Sequence, residues 1–358
     1  MAQDGTLWFG QPARILYPGD AEAAAKARAS LIAAAERVGA ERLTALARKS
    51  GPLCDFLVAV MTLSPFLSHQ IERQPAVLES LFDAPARKRL AEIVDRTEAM
   101  RHGDDFAESE AALMAALRRE KAALHLLVAL GDLSGAFPVE ETTYWLSRFA
   151  EVSLGAAAAW ILRDAHGTGK LVLADTSEPE TGSGWIMLSM GKLGAHELNY
   201  SSDIDVIVLF DPYPPKVTWP DHYMIGETMS RMTRRLVRVM QERTGEGYVF
   251  RTDLRLRPDP GSTPLAISVE AALVYYEARG QNWERAAMIK AKPAAGDQEA
   301  ADRFLFEMKP FIWRKHLDYA AIADVHSIKR QIHAHKGHGR IAIEGHNVKL
   351  GRGGIREI

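Results

Sequence analysis

Cysteine is nearly absent from this sequence, in which Cys54 is the only thiol among 358 residues. One thiol excludes an intrachain disulfide and any metal site built from several thiolates. Such cysteine usage is typical of a reducing compartment, so we expect a cytoplasmic protein. Residues 1–12 lack a basic start followed by an apolar stretch, which predicts that no signal peptide is present.

Long hydrophobic runs and an excess of charge are missing as well. The most apolar segment, residues 53–67, is interrupted by Asp55 and Pro65 and is shorter than the ~20 residues that span a membrane. The chain has 44 Lys and Arg residues against 46 Asp and Glu residues, a formal net charge of −2. This balance does not steer the whole protein towards nucleic acid or an anionic membrane. We therefore predict no nucleic-acid partner and no membrane partner, and any charge-based function must be local.

The chain is rich in apolar residues arranged in helical patterns. Hydrophobic residues make up 47% of it, which excludes a disordered chain, and its length allows two or three domains. Helical spacing is found in four stretches: residues 20–48, 53–82, 84–131 and 139–166. Breaks are expected at Pro65 and Pro75. We predict a helical amino-terminal domain over residues 1–166.

A different pattern follows over residues 167–264. Short runs with β-branched residues predict strands at 185–190, 204–210 and 248–256, with a helix at 221–243. The helical pattern resumes at 268–280 and 300–336, which predicts a third, helical domain over residues 265–358. The fold class is therefore predicted to be α+β and mostly helical, with an α/β core around a small mixed sheet. The last residues show neither a helix stop nor a polar tail, so we expect a longer natural protein.

The most informative stretch joins the first two predicted strands. Gly191 and Gly194 follow one strand, and Asp203 and Asp205 open the next. Residues two apart in a strand share a face, so the two carboxylates point the same way and repel unless a cation lies between them. Hard oxygen ligands suit Mg²⁺, which binds a few carboxylates together with substrate phosphates. Glycines leave backbone N–H groups free to approach a phosphate. An isolated Asp-x-Asp also occurs in turns, so the context carries the prediction.

A third carboxylate, Asp253, lies in the predicted strand 248–256. Arg251, Arg255 and Arg257 share its face by alternation, although a solvated edge strand has a similar pattern. Residues 231–257 contain eight arginines and three acids, a local charge of +5. Three acids on neighbouring strands predict a one- or two-metal site for displacement at phosphorus, with arginines holding phosphoryl oxygens.

Two further groups of residues are candidates for ligand contacts. Residues 281–285 combine Trp283 with polar side chains and an arginine, which suits either an adenine or ribose contact or plain packing of the indole. Lys290 and Lys292 are candidates for binding the phosphoryl group that the arginines would hold.

The motifs resemble the nucleotidyltransferase superfamily of DNA polymerase beta, which has a glycine turn, an Asp-x-Asp strand and a later third Asp. Within this superfamily, the amino-acid sequences of the motifs are similar to those of one family, the bifunctional glutamine synthetase adenylyltransferase/adenylyl-removing enzymes. The matching segments are residues 191–205 (GKLGAHELNYSSDID), 251–258 (RTDLRLRP), 275–276 (YY), 280–285 (GQNWER), 314–318 (RKHLD) and 349–358 (KLGRGGIREI). The resemblance is strong over residues 184–358 and loose over the helical part before them.

This resemblance implies a function. The family joins two nucleotidyltransferase halves, of which the amino-terminal half removes AMP from a tyrosine of glutamine synthetase by phosphorolysis and releases ADP. The present sequence contains one Asp-x-Asp core and looks like that half, so transfer of AMP from ATP is expected only in the other half. The implied partners are adenylylated glutamine synthetase, inorganic phosphate, ADP or ATP, and a PII-type signal protein.

The resemblance also assigns roles to residues. Asp203, Asp205 and Asp253 would be the catalytic ligands of Mg²⁺, or of Mn²⁺. The implied phosphate or nucleotide contacts come from the glycine turn, the Asp-x-Asp loop, the arginine strand and the later lysine, namely Gly191, Lys192, Ser202, Arg251, Arg255, Arg257 and Lys290.

Two alternatives remain open. In one, the chain is a regulatory docking module that binds nucleotide without turnover. In the other, it is an adenylyltransferase that acts on a protein tyrosine. Release of ADP from adenylylated glutamine synthetase would separate both from phosphorolysis.

Overall fold

The computed structural model describes Leu16, residues 18–102 and 107–313, His346 and Val348. The motif segments 314–318 and 349–358 and the carboxyl part of the predicted helix 300–336 lie outside the described residues. The described helices are α1 (Ala21–Arg37), α2 (Glu41–Arg48), α3 (Pro52–Leu63), α4 (Pro65–Arg73), α5 (Pro75–Ser80), α6 (Ala86–Ala99), α7 (Glu110–Leu133), α8 (Val139–Gly167), α9 (Gly191–Gly194), α10 (Ile225–Gln241), α11 (Val269–Arg279), α12 (Asn282–Met288), α13 (Gln298–Glu307) and α14 (Lys309–Ile312). The described strands are β1 (Val172–Leu173), β2 (Trp185–Ser189), β3 (Ile204–Phe210), β4 (Val217–Thr218), β5 (Thr252–Asp253), β6 (Ile267–Ser268) and β7 (Lys292–Gly296).

The amino-terminal helices follow from local sequence signals. Prolines stand in the first turn of α3, α4 and α5, where the missing N–H costs no hydrogen bond. The predicted breaks at Pro65 and Pro75 are therefore confirmed. Two longer helices were predicted wrongly as continuous. The first is divided after α1, where Gly39 has a φ of 71°, and the second divides into α6 and α7, whose first turn is capped by the Ser109 hydroxyl.

A mixed five-stranded sheet forms the centre of the fold. Four of its strands lie in the order β5, β3, β2, β7, and β6 also pairs with β3. The β2 and β3 strands are antiparallel, whereas β3 and β5 are parallel. This confirms the predicted class, mostly helical with a small mixed sheet.

Helices cover both faces of the sheet. Along β3, Val206 and Val208 belong to a large apolar core that continues into α7, α8 and α10. Ile207 and Leu209 point to the other face, into a smaller core with α11 and α13. The domain boundaries at residues 166/167 and 264/265 stay predictions. Among the described residues, no helix combines the length and apolarity needed to cross a membrane.

The third predicted strand is much shorter than expected. Residues 248–256 were predicted to be extended throughout, but only Thr252–Asp253 is a strand. Arg255 folds back, and its backbone N–H donates to the Asp253 carboxylate at 2.8 Å. The prediction of a long strand was therefore wrong, because a local side-chain hydrogen bond replaces the ladder.

A buried histidine makes the stability of the fold pH-dependent. His125 of α7 is only 7% exposed, and burial, with the charge of Lys121 adding, lowers its pKa from 6.5 to about 3. Between these values the unfolded chain binds a proton that the folded protein does not, so stability falls as the pH drops below about 6.5. We expect this residue to cost about 2 kcal/mol between pH 7 and pH 5.

Urea unfolding at both pH values measures this cost. The variant His125→Leu should lose about 2 kcal/mol less than the parent on acidification, because the carboxylates that titrate in the same range are common to both proteins. An equal loss in parent and variant would contradict the assignment.

Candidate active site

The first two candidate carboxylates lie at the amino end of β3. Asp205 is the second residue of the strand and is half-buried, whereas Asp203 precedes the strand and is exposed. The Met190 N–H donates to the Asp205 carbonyl at 2.9 Å, which holds the end of β2 beside this strand. Both aspartates therefore lie where the glycine turn leaves the sheet.

The glycine turn is shaped by close approaches on both sides. Gly191 has a φ of 55°, and a Cβ on it would lie 2.8 Å from Oδ2 of Asp205. A Cβ on Gly194 would lie 1.9 Å from the carbonyl oxygen of Lys290. Both positions therefore exclude larger residues, and the backbone of Gly191 lies directly against the Asp205 carboxylate.

The parallel pairing of β3 and β5 brings in the third carboxylate. Asp253 is the register partner of Asp205, and Ile204 is the partner of Thr252. Side chains in register on adjacent strands stand side by side on one face. A cleft of about 470 Å³ is then lined by Asp203, Asp253, three arginines, Gln241, Thr252 and apolar residues.

Two of the carboxylates are engaged by arginines. Nε of Arg251 donates to Asp203 at 2.5 Å. Nε of Arg255 donates to both Asp253 oxygens, at 3.0 and 2.9 Å. The hydrogen bond from Arg255 holds the pKa of Asp253 below its usual 3.8, so this carboxylate is ionised at neutral pH. The cleft is thus lined by fixed charges of both signs.

Two residues of α8, which lie outside the motif segments, fasten the loop between the glycine turn and β3. His196 has a φ of 56°, and its Nε2 lies 2.6 Å from a carboxylate oxygen of Glu151. The Leu198 N–H donates to the Ser147 hydroxyl at 3.1 Å. Both partners belong to α8, whose apolar sequence pattern is typical of a core helix. The one sequence signal for their role in holding the loop is Glu151, an acidic residue within that apolar pattern.

The other predicted contacts lie around the same loop. Nζ of Lys290 lies 2.8 Å from Glu197 in an exposed ion pair. Lys192, which follows Gly191 in the glycine turn, is also exposed. The Ser202 hydroxyl accepts a hydrogen bond from the Asn199 N–H at 3.2 Å. These groups border the glycine turn, but they are not among the residues that line the cleft.

Arg257 is placed differently from its prediction. Its side chain is buried, and its guanidinium donates to four backbone carbonyls. The acceptors are those of Leu254, Pro260, Thr263 and Pro264. All its nitrogens are thereby used in holding the turn after β5. The prediction that it contacts phosphate is not supported by this geometry.

The segment 281–285 forms the start of α12. Gln281 and Glu284 make a capping box, in which the Gln281 N–H donates to the Glu284 carboxylate at 2.7 Å. Nε of Arg285 donates to the Phe311 carbonyl at 2.8 Å. This arrangement gives the segment a structural task, and the prediction of adenine or ribose contacts stays untested.

The carboxylates of Asp203, Asp205 and Asp253 suit a divalent cation by their chemistry and strand register. In the present side-chain arrangement, however, they do not converge on one position. Within the described ranges, no three His, Cys, Asp or Glu side chains are placed together to hold a metal ion. Asp203 and Asp253 are turned towards exposed arginines instead. Exposed ion pairs are weak, so a cation of higher charge density can displace them. The donor set fits Mg²⁺, provided that the two arginines move away.

Comparison with known proteins places this geometry in a family. Residues 54–307 match the family model described as glutamate-ammonia ligase adenylyltransferase. The chain belongs to this family. The match to the glutamate-ammonia ligase adenylyltransferase family includes β2, the glycine turn, β3 and β5. It confirms the resemblance that the motifs indicated.

Individual relatives extend the similarity over nearly the whole chain. A protein of Mesorhizobium japonicum is 58% identical over 99% of this chain and 35% of its own length. A protein of Rhizobium meliloti is 56% identical over 94% of this chain and 34% of its own length. Both are named bifunctional glutamine synthetase adenylyltransferase/adenylyl-removing enzyme. The chain therefore spans about a third of the length of the curated relatives that it matches.

Proposed function

We propose that the chain catalyses phosphorolysis of adenylyl-tyrosine on glutamine synthetase, releasing ADP. The observation that carries the proposal is the register of Asp205 with Asp253 beside Gly191. It combines two carboxylates on one face with a backbone that a phosphate can approach. The names of the relatives include an adenylyl-removing activity, which supports the choice of reaction.

The proposed reaction is a single displacement at phosphorus. An oxygen of inorganic phosphate forms a bond to the AMP phosphorus, and the bond from that phosphorus to the tyrosine oxygen breaks. The products are ADP and a phenolate, which takes up a proton from solvent. A phenol has a pKa of about 10, so the leaving group needs little acid catalysis. Positioning and charge stabilisation dominate, as in other phosphoryl transfers.

The residues of the candidate site have proposed roles. Asp203, Asp205 and Asp253 would hold Mg²⁺ or Mn²⁺, which when bound polarises phosphoryl oxygens and offsets their charge. Arg251 and Arg255, released from the carboxylates, bind the phosphoryl oxygens through their paired N–H groups. We propose further that Lys192, Ser202 and Lys290, which lie around the glycine turn, bind the phosphate or nucleotide from its side.

An assay of ADP release tests the proposal. Adenylylated glutamine synthetase is incubated with the chain, inorganic phosphate and Mg²⁺, and both ADP and the mass of the synthetase are followed. We expect ADP to appear in step with the loss of AMP from the synthetase. Reactions without phosphate, or with synthetase that carries no AMP, should release none.

Other results would select another function. Nucleotide binding without ADP release, with Mg²⁺ and with Mn²⁺, would favour a regulatory docking module. Transfer of label from ATP to a protein tyrosine would favour an adenylyltransferase. Either result would contradict phosphorolysis by this chain.

A further inference from the structure

A second cavity lies on the helical side of the molecule, next to the cleft. It has a volume of about 800 Å³ and opens between α4, α7 and the segment 243–248, and Tyr200 and Ser201 also line it. Among the described residues, it shares no lining residue with the cleft that holds Asp203 and Asp253. The proposed phosphorolysis does not use this cavity.

Part of the cavity lining is polar and already desolvated. Nε2 of His125 is buried and has no hydrogen-bond partner among the described residues. Nζ of Lys121 donates to the Tyr248 carbonyl at 3.0 Å and lies 4.3 Å from the centre of the Tyr248 ring. Burial lowers the pKa of Lys121 to about 8, with the charges of Arg118 and Arg251 adding to the effect. Buried polar groups in folded proteins normally have partners, so the unpartnered Nε2 of His125 indicates a ligand that supplies one.

The charged side chains that line the cavity favour an anionic ligand. The charged side chains in the wall are four cations and two carboxylates: Arg73, Arg118, Lys121 and Arg243, with Asp132 and Glu246. Both carboxylates are engaged, because Asp132 accepts a hydrogen bond from the Tyr200 hydroxyl at 3.1 Å and Glu246 pairs with Arg73 at 3.0 Å. The excess of two cations gives the lining a net positive charge.

Part of the cavity wall is apolar. It is formed by Leu67, Ala122, Ala129 and Leu133, and Phe66 lines the cavity with 60% of its surface exposed. A large exposed aromatic ring beside an apolar wall is typical of a ligand site. A small inorganic anion would leave this part of the cavity unfilled.

We propose that this cavity binds an organic anion that carries a carboxylate or phosphate group and an apolar body. The anionic group lies against Lys121 and His125, and the apolar body lies against Phe66, Leu67 and Ala129. This site goes beyond the proposed phosphorolysis and does not depend on it.

The wall of the cavity is joined to the cleft through one side chain. Nη2 of Arg251 donates to the Ser201 carbonyl at 2.7 Å, and its Nη1 donates to the Tyr248 hydroxyl at 3.5 Å. The same guanidinium donates to Asp203 in the cleft. A ligand that orders Ser201 and Tyr248 therefore also restrains Arg251, which gives the cavity a means to influence the carboxylates.

The probe for the test is 1-anilinonaphthalene-8-sulfonate, an anion with an aromatic body whose fluorescence rises in apolar surroundings. The full chain should bind it saturably, and both Lys121→Met and the cavity-filling Ala122→Phe should weaken binding roughly tenfold. The matched control is Arg119→Met, which removes an exposed cation from the same helix. Unchanged binding in both cavity variants, or an equal loss in the control, would overturn the proposal.

A second measurement does not depend on any substitution. Brief acetylation of the unmodified protein should label Lys121 several times more slowly when the probe is bound, while exposed Lys88 is labelled at the same rate. Competition by phenyl phosphate or by phenylacetate identifies the anionic group as phosphate or carboxylate. Labelling of Lys121 that the probe does not change, or binding that neither competitor reduces, would overturn the proposal. No glutamine synthetase is present, so the result is independent of the ADP assay.

Discussion

The variant Asp205→Asn is expected to release ADP from adenylylated glutamine synthetase at least about 100-fold more slowly than the parent. Asparagine keeps the shape of the side chain but removes the charge that a divalent cation requires. The measurement is ADP release at a series of Mg²⁺ concentrations, with urea unfolding to show that the variant is folded.

The same strand supplies the matched control. Asp211 directly follows β3 at its other end, and its carboxylate accepts a hydrogen bond from the Tyr213 N–H at 2.8 Å. Asp211→Asn removes the same charge from the same chain segment and should keep the parent rate. If Asp205→Asn also keeps it, the carboxylates of β3 and β5 are not the catalytic site. If the parent itself releases no ADP, the proposed function fails instead.

The parts of this site that local sequence determines could be predicted. Strand β3 has its predicted bounds, because alternating apolar residues fill two cores and an Asp-x-Asp precedes them. Asp253 could be placed beside it, since alternation and an arginine-rich context both marked the segment. The prolines of α3, α4 and α5 marked helix starts for a reason that does not depend on tertiary contacts.

The parts that depend on tertiary contacts could not be predicted. Strand β7 contains Pro293 and two alanines and no β-branched residue, so its sequence resembles a loop. It is a strand because it pairs with β2, whose Trp185 carbonyl lies so close that a Cβ on Gly296 would be 1.9 Å away. Arg257 has the same sequence context as Arg255, yet one is buried against carbonyls and the other is exposed. Alternation cannot distinguish them once the strand ends after Asp253.

A buried ion pair connects β7 with the helices, and its disruption is the largest stability change that we expect. Arg101 and Glu180 are 13% and 8% exposed, and Nε of Arg101 lies 2.7 Å from the glutamate carboxylate. The other carboxylate oxygen accepts the Gly296 N–H at 2.6 Å. Burial raises the pKa of Glu180, and the charge of Arg101 opposes that rise. The arginine therefore offsets part of the cost of burying this carboxylate at the end of β7.

Arg101→Met is expected to lower the free energy of unfolding by about 3 to 5 kcal/mol, because it leaves that carboxylate buried without its cation. The pKa of Glu180 should rise further in the variant, so the loss should be larger at pH 8 than near pH 5, where protonation removes the uncompensated charge. Urea unfolding at the two pH values measures both effects.

The control for Arg101→Met is Arg303→Met, which breaks an exposed pair with Glu299 in α13 and should change stability by no more than about 0.5 kcal/mol. The double variant Arg101→Met/Glu180→Gln should recover part of the loss, since the amide carries no charge and its oxygen can still accept the Gly296 N–H. A loss in Arg101→Met no larger than in the control would contradict this account. It would show that solvent reaches Glu180 and that the end of β7 is held by its pairing with β2 alone.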